Sequence, residues 1–421
     1  MVASVPGRGK VRMALLLAAL CAMMTLPLTD AAQLWASAAP MDTARAYHTA
    51  TLLPDGSVLV IGGDDGAIGG GGNGPRKLAT AERYDPAADH WTAVAPMPVP
   101  HTRHTAILLP DGRVFVIGDY NTIDAAKAEL YDSAMDRWTL AAVSPAQYGT
   151  AGAALLPNGQ VLVVTCEAQR YDPISDRYSP TGPYTALGAC VSGSAITTLA
   201  DGRVLVTGGP YRGGGYNSAA IYNPATDQWT RAAPMYAGRA FHTATLLADG
   251  QVLVVGGADL RGALATAERY DSVADAWTTV APLPLARSGH TATLLSDGRV
   301  LVVGGVGDKG DTTPATTAMR YDPKGNQWSD AGTTDATTGG QTATRLRDGT
   351  VLVAGGNTGL NAQSHATAST ERYVASMLPA VSHRRRNRNG TAMALIACVG
   401  IAGAFGVLVG LLIRRRHFPH R

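Results

Sequence analysis

Along its length the chain repeats one order of apolar and polar positions. A segment such as HTATLL at 48–53 mixes small polar and apolar residues and runs into a polar Asp-Gly turn. Next comes a wholly apolar run, VLVI at 58–61, that ends on two glycines. After a gap of variable length follow two more segments, ATAERYDP at 79–86 and HWTAV at 90–94, separated by a short polar turn. Turn signals separate all four segments, and each has the length of a short strand. Each unit therefore predicts four short strands.

The turns count the units. Asp or Asn precedes Gly56, Gly112, Gly159, Gly202, Gly250, Gly298 and Gly349, which makes seven units spaced 43 to 56 residues apart. Such pairs mark tight hairpins, because glycine accepts a positive φ without a Cβ clash. A period near 50 built from four strands predicts radial repetition of small antiparallel sheets, in which each unit buries its faces only against neighbours. The last unit lacks its fourth strand. The segment Gln33-Leu34-Trp35, followed by Ala39-Pro40-Met41, matches His90-Trp91 and Ala95-Pro96-Met97 and is expected to complete the seventh sheet.

Three features fall at fixed places in the repeat. Paired glycines end the apolar run at Gly62 and Gly63, Gly208 and Gly209, Gly256 and Gly257, Gly304 and Gly305, and Gly355 and Gly356. A tyrosine recurs at Tyr84, Tyr131, Tyr171, Tyr222, Tyr270, Tyr321 and Tyr373. A tryptophan recurs at Trp35, Trp91, Trp138, Trp229, Trp277 and Trp328. These units resemble Kelch repeats, and the resemblance covers residues 33–375. It implies an all-β, seven-bladed Kelch-type β-propeller, similar to the central propeller of galactose-oxidase-like proteins. The third unit is the least typical, with Thr165-Cys166 in place of the glycine pair and Tyr178 in place of tryptophan.

Two apolar stretches lie outside the repeats. Residues 1–31 have the layout of a signal peptide, with Arg8, Lys10 and Arg12 ahead of an apolar run. Residues 392–413 are 22 uncharged residues, enough for about 33 Å of helix, and Arg414, Arg415 and Arg416 follow. They are expected to form one C-terminal transmembrane helix, reached through a stalk at 376–391 and followed by a basic cytoplasmic tail at 414–421. The expected topology is single-pass type I, with the membrane as a partner and the propeller outside.

Composition and charge narrow the function. Charged residues are 16% of the chain, and its net charge of +3 comes from the two ends. Residues 31–383 hold 24 basic and 31 acidic residues, a net charge of −7, which argues against a nucleic-acid partner. The lysine-poor, Ala/Gly-rich repeats lean toward a bacterial source. Cys166 and Cys190 are the two cysteines left in an exported domain and are expected to form a disulfide, against the alternative of two free thiols.

Candidate chemistry is sparse. His48, His104, His242 and His290 share one repeat position, and Arg45, Arg239 and Arg287 lie three residues earlier in it. Repetition reads them as packing or strand-end hydrogen bonding rather than as metal ligands. Galactose-oxidase relatives bind copper through Tyr and His, with a Tyr–Cys crosslink, but no such set can be assigned in this sequence. No catalytic residue, metal or cofactor is therefore assigned. The favoured role is a membrane-anchored extracytoplasmic module whose variable loops, at 66–78, 258–265, 306–316 and 357–369, contact a protein or glycan. The alternatives are a galactose-oxidase-like or other propeller enzyme, and a structural subunit of a surface complex.

Overall fold

The computed structural model describes residues 34–374 except 67–74, 119–126, 145–151, 185–192, 210–215, 308–315, 335–338 and 360–364. Seven four-stranded antiparallel sheets follow one another, one per repeat. The first blade comprises Thr49–Leu52, Val58–Ile61, Ala81–Asp85 and His90–Val94. In the seventh, Thr342–Arg345, Val351–Ala354 and Thr370–Tyr373 are completed by Trp35–Ser37, with Trp35 opposite Tyr373. The expected closure is borne out. The first strand of each blade touches the first strand of the next, and the seventh touches the first, so these strands ring a central channel.

The apolar second strand is buried along its whole length because its two faces serve two neighbours. Val58 and Val60 pack with Leu346, Leu352 and Ala354 of blade seven, whereas Leu59 and Ile61 pack with Val114 and Val116 of blade two. The same arrangement recurs around the ring, which explains the missing polar alternation in VLVV-type runs. The glycine pair that follows is a matter of clearance. Gly62 and Gly63 have φ of 60° and 92°, and a Cβ would lie 2.6 Å from the His101 carbonyl oxygen and 2.4 Å from that of Ala46.

The outer strands carry the tyrosine and tryptophan positions, and the structure gives each a task. Tyr84 donates through its hydroxyl to Asp89, Tyr131 to Asp136, Tyr171 to Asp176, Tyr222 to Asp227 and Tyr270 to Asp275, at 2.6 to 2.9 Å. Tyr321 uses Asn326 in the same way. These Asp and Asn residues adopt left-handed φ of 45° to 54°, which short polar side chains tolerate best. Each also accepts a backbone N–H from the preceding blade, such as that of Ala95 at Asp136. The tryptophans reinforce the same seam, for example Trp277 Nε1 donating to the Ala233 carbonyl at 2.7 Å. In blade three Tyr178 packs at a tilt beside Tyr171 where tryptophan stands elsewhere. Tyr373 is the exception among the tyrosines. Its hydroxyl finds no hydrogen-bond partner among the described residues.

Some expectations fall outside this frame. The signal peptide at 1–31, the stalk at 376–391, the helix at 392–413 and the tail at 414–421 lie outside the described residues. Among the described residues no helix is long and apolar enough to cross a membrane. The reading of a single-pass, type I, membrane-anchored protein with the membrane as partner is corrected accordingly, to an all-β propeller without a spanning helix among those residues. Cys166 is disulfide-bonded, and Cys190 lies outside the described residues.

Candidate functional site

At one end of the channel the chain enters each innermost strand through a residue in left-handed backbone conformation. The described members are Tyr47, Arg103, Gly193, Phe241, Gly289 and Gly340, with φ between 54° and 83°. Four backbone hydrogen bonds join successive members. The Tyr47 N–H donates to the Gly340 carbonyl, Arg103 to Tyr47, Phe241 to Gly193 and Gly289 to Phe241, at 2.7 to 3.0 Å. Glycine takes this conformation freely, whereas a residue with a Cβ loses about 1–2 kcal/mol. Three blades bear that cost, and their side chains stand at the channel mouth.

The mouth encloses about 520 Å³. Tyr47 and Arg103 lie on adjacent blades, and the Arg103 guanidinium carbon sits 3.5 Å from the centroid of the Tyr47 ring. Phe241, 42% exposed, belongs to blade five on the far side of the ring. Ser194, Thr291 and Gln341 add polar atoms to the lining. A larger groove of about 690 Å³ opens at the opposite ends of the blades, beside the Asp-Gly turns. Its two arginines already have partners, Arg83 in Asp55 and Arg347 in the Pro54 carbonyl, so the mouth is the better candidate.

The four repeat histidines form the tier just below. His48 Nε2 meets Thr342 Oγ1 at 3.0 Å, His104 meets Thr49 at 2.9 Å, His242 meets Thr207 at 2.8 Å and His290 meets Thr243 at 3.0 Å. Each contact crosses to the preceding blade, where the sequence reading had packing or strand-end hydrogen bonding. Burial pushes the imidazoles of His104, His242 and His290 down to about 3 and His48 well below its usual range, with nearby arginines and histidines acting in the same direction. They are neutral at physiological pH.

Under the histidines lies a tier of buried charge. The Arg45 guanidinium donates to the Gly62 and Thr80 carbonyls and to Glu82 at 2.6 Å. Arg239 repeats this with Gly256, Thr266 and Glu268. Arg287 has the carbonyls of Gly304 and Thr317 but Met319 where blades one and five place Glu82 and Glu268, and burial brings it down to about 10. Blade two has His101 in the arginine position, 3.8 Å from Glu129, whose carboxyl is pushed up to about 7 by burial.

The residues marked in the sequence therefore divide. Tyrosines, tryptophans and paired glycines build seams and turns, and none of them lines the mouth. Tyr47, Arg103 and Phe241 were not singled out. Their signal lay in one column of the repeat, the residue before His48 and its equivalents, where bulky side chains replace the glycines at 193, 289 and 340. The start of each variable loop does sit at this end, through bridges such as Ala46 to Asp64 and Ala240 to Ala258.

The Kelch motif model matches residues 45–98, 239–284 and 286–333. The chain is 30% identical over 202 residues to Kelch-like protein 35 of Mus musculus, which is 48% of this chain and 25% of that protein. It is 38% identical over 73 residues to galactose oxidase of Gibberella zeae, 17% of this chain and 10% of that one. The matched segments thus span a quarter or less of these curated relatives. A solved fungal alcohol oxidase in complex with copper shares the fold, with a TM-score of 0.65 and 17% identity, over 80% of this chain and 76% of that one. The preference for a non-catalytic binding module is corrected by the match to an oxidase sequence. Relatives from a mouse and a fungus give a bacterial source no support.

Copper does not fit the described residues. Each repeat histidine already has its Nε2 on a threonine of another blade, and no three His, Cys, Asp or Glu side chains among the described residues are grouped to hold a metal.

Proposed function

We propose that this Kelch-repeat, seven-bladed β-propeller, related to galactose-oxidase-like propellers, is an enzyme acting on a small hydroxylated molecule bound at the channel mouth. One observation carries the reading. Tyr47, Arg103 and Phe241 hold a backbone conformation that three other blades reach with glycine. Strain of this kind persists where the side chain is needed, and it clusters at ligand sites. The likeness to galactose oxidase supports a hydroxyl-bearing substrate. Tyr47 and Phe241 offer flat apolar faces to the C–H face of a ring, and Ser194, Thr291 and Gln341 offer hydrogen-bonding groups to hydroxyls. The neutral histidines beneath hold the wall together and bring no charge. No step is routed through copper.

The test is a panel of hexoses, hexuronates and primary alcohols presented to the full chain, with binding read by ligand-observed NMR and turnover by NMR and oxygen uptake. Tyr47→Gly and Phe241→Gly should each weaken binding at least tenfold while leaving the melting temperature equal or higher, because glycine relieves the strain. Unchanged binding in both variants, or no binding by any compound, would overturn the proposal.

A further inference from the structure

We infer that Gln341 selects the substrate by one of its hydroxyls, with the side-chain oxygen Oε1 as the acceptor that a substrate O–H must reach. This deepens the reading of the mouth as a substrate site and rests on it. Gln341 lines the mouth and is 6% exposed. Its Nε2 donates to the Val303 carbonyl at 2.9 Å. A carbonyl can only accept, so that bond fixes which end of the amide is nitrogen and leaves Oε1 at the other. Oε1 is buried and has no hydrogen-bond partner among the described residues. A buried acceptor without a donor is costly to keep, and a site that offers one favours the ligand that brings the donor.

The repeat explains why this acceptor is open. Gln341 stands in the column of His48, His104, His242 and His290. It lies against Gly304 as those imidazoles lie against Gly355, Gly62, Gly208 and Gly256. Each imidazole has its Nε2 on a threonine of the preceding blade, as His290 has on Thr243. The corresponding threonine for Gln341 is Thr291, whose hydroxyl donates instead to the same Val303 carbonyl, at 3.5 Å. Ser194, another polar departure in this column, sends its hydroxyl proton to the Gly208 carbonyl at 3.2 Å. These three side chains commit their donors to the backbone and keep oxygens as acceptors. The Tyr47 N–H donates to the Gly340 carbonyl, and a Cβ on Gly340 would lie 3.1 Å from the Tyr47 ring. An aromatic ring thus stands one residue from the acceptor. That pairing takes a sugar by its C–H face and one hydroxyl together.

The experiment measures methyl β-D-galactopyranoside and methyl β-D-glucopyranoside, with the 2-, 3-, 4- and 6-deoxy form of each, on the full chain by ligand-observed NMR and calorimetry. At least one parent should bind, and removal of one particular hydroxyl should weaken it about tenfold or more. Gln341→His restores the imidazole of the column, with Thr291 placed as Thr243 is for His290, and should leave the melting temperature equal or higher. It should weaken the parent by about the same factor and bring parent and deoxy form within about threefold. Gln341→Met removes the acceptor at similar length and should do likewise, which keeps the test open if the histidine variant does not fold. Equal binding of every deoxy form and its parent would sink the role of Gln341 and leave the mouth standing. So would a deoxy penalty, or a parent affinity, that survives both variants unchanged. Binding by neither parent, with the melting temperature intact, would overturn the mouth itself.

Discussion

Blades five and two share one frame and differ in one buried pair. In blade five the Arg239 guanidinium donates to two backbone carbonyls and to Glu268, which also accepts the N–H groups of Tyr236 and Ala237. In blade two Pro98 stands where Tyr236 stands, so one donor is missing, and among the described residues Glu129 accepts the Val99 N–H alone, at 3.0 Å. The shorter His101 replaces arginine and stops 3.8 Å from the carboxylate, beyond hydrogen-bond reach. Burial is nearly the same at both glutamates, 1% and 0% exposed. The difference is therefore one of partners. With one N–H donor among the described residues, Glu129 is pushed up to about 7 by burial. A repeat protein can thus hold its architecture constant while changing the partners of one buried acid.

The largest effect should come from breaking the complete pair. Arg239→Leu leaves Glu268 buried without its cation and should lower unfolding free energy by about 3–5 kcal/mol. His101→Leu at pH 6 should cost about 1–2 kcal/mol, since Glu129 is already largely protonated there. Urea denaturation measures both, and equal losses would show that the two blades do not differ in the way described.

The next effect is a pH dependence. The folded pKa of Glu129 is raised from 4.5 to about 7, so between those values the native state holds a proton that the unfolded chain has released. Stability therefore falls as pH rises through that window, by on the order of 2 to 3 kcal/mol. Glu129→Gln should remove this fall. The buried histidines act in the opposite sense, losing stability as pH drops from 6.5 toward about 3, and they cancel when the variant is compared with the parent chain. Identical pH profiles of melting temperature for the two proteins would refute the assignment.

Blade six offers a gain rather than a loss. Arg287 is buried with no acid beside it among the described residues, and Met319→Glu supplies one at the position of Glu268. It should stabilise the fold at pH 7 by about 1–2 kcal/mol. A destabilised variant would mean that the site has adapted to the lone cation. The smallest effect checks that the outer seam is equal in both blades. Tyr270→Phe and Tyr131→Phe should each cost about 1 kcal/mol, and Tyr373→Phe nothing, because among the described residues only the first two of these hydroxyls have an acceptor.

Much of this molecule was legible before any coordinates. The seven turns, the four strands of each unit and the displaced Trp35 all follow from repetition, since a residue type that recurs in register reports a shared environment. The mouth was less legible for the same reason. Tyr47, Arg103 and Phe241 matter because they depart from their column, and a departure reads as noise until the column is known to face a cavity. His101 was hidden in the same way, as one substitution among arginines. The apolar segment at 392–413 has the opposite character, a strong local signal on residues outside those described.

The pairing of Trp35–Ser37 with Thr370–Tyr373 also has a consequence in time. Partners 338 residues apart cannot meet until the ribosome has made the second of them. At about 5–20 residues per second that is roughly 20 to 70 s, during which six blades can form while the first strand waits unpaired. Its hydrogen-bonding edge and its tryptophan are then open to any passing strand. The seam that closes the finished ring is thus the last to be sealed in synthesis, and it is the place where a nascent chain would need guarding.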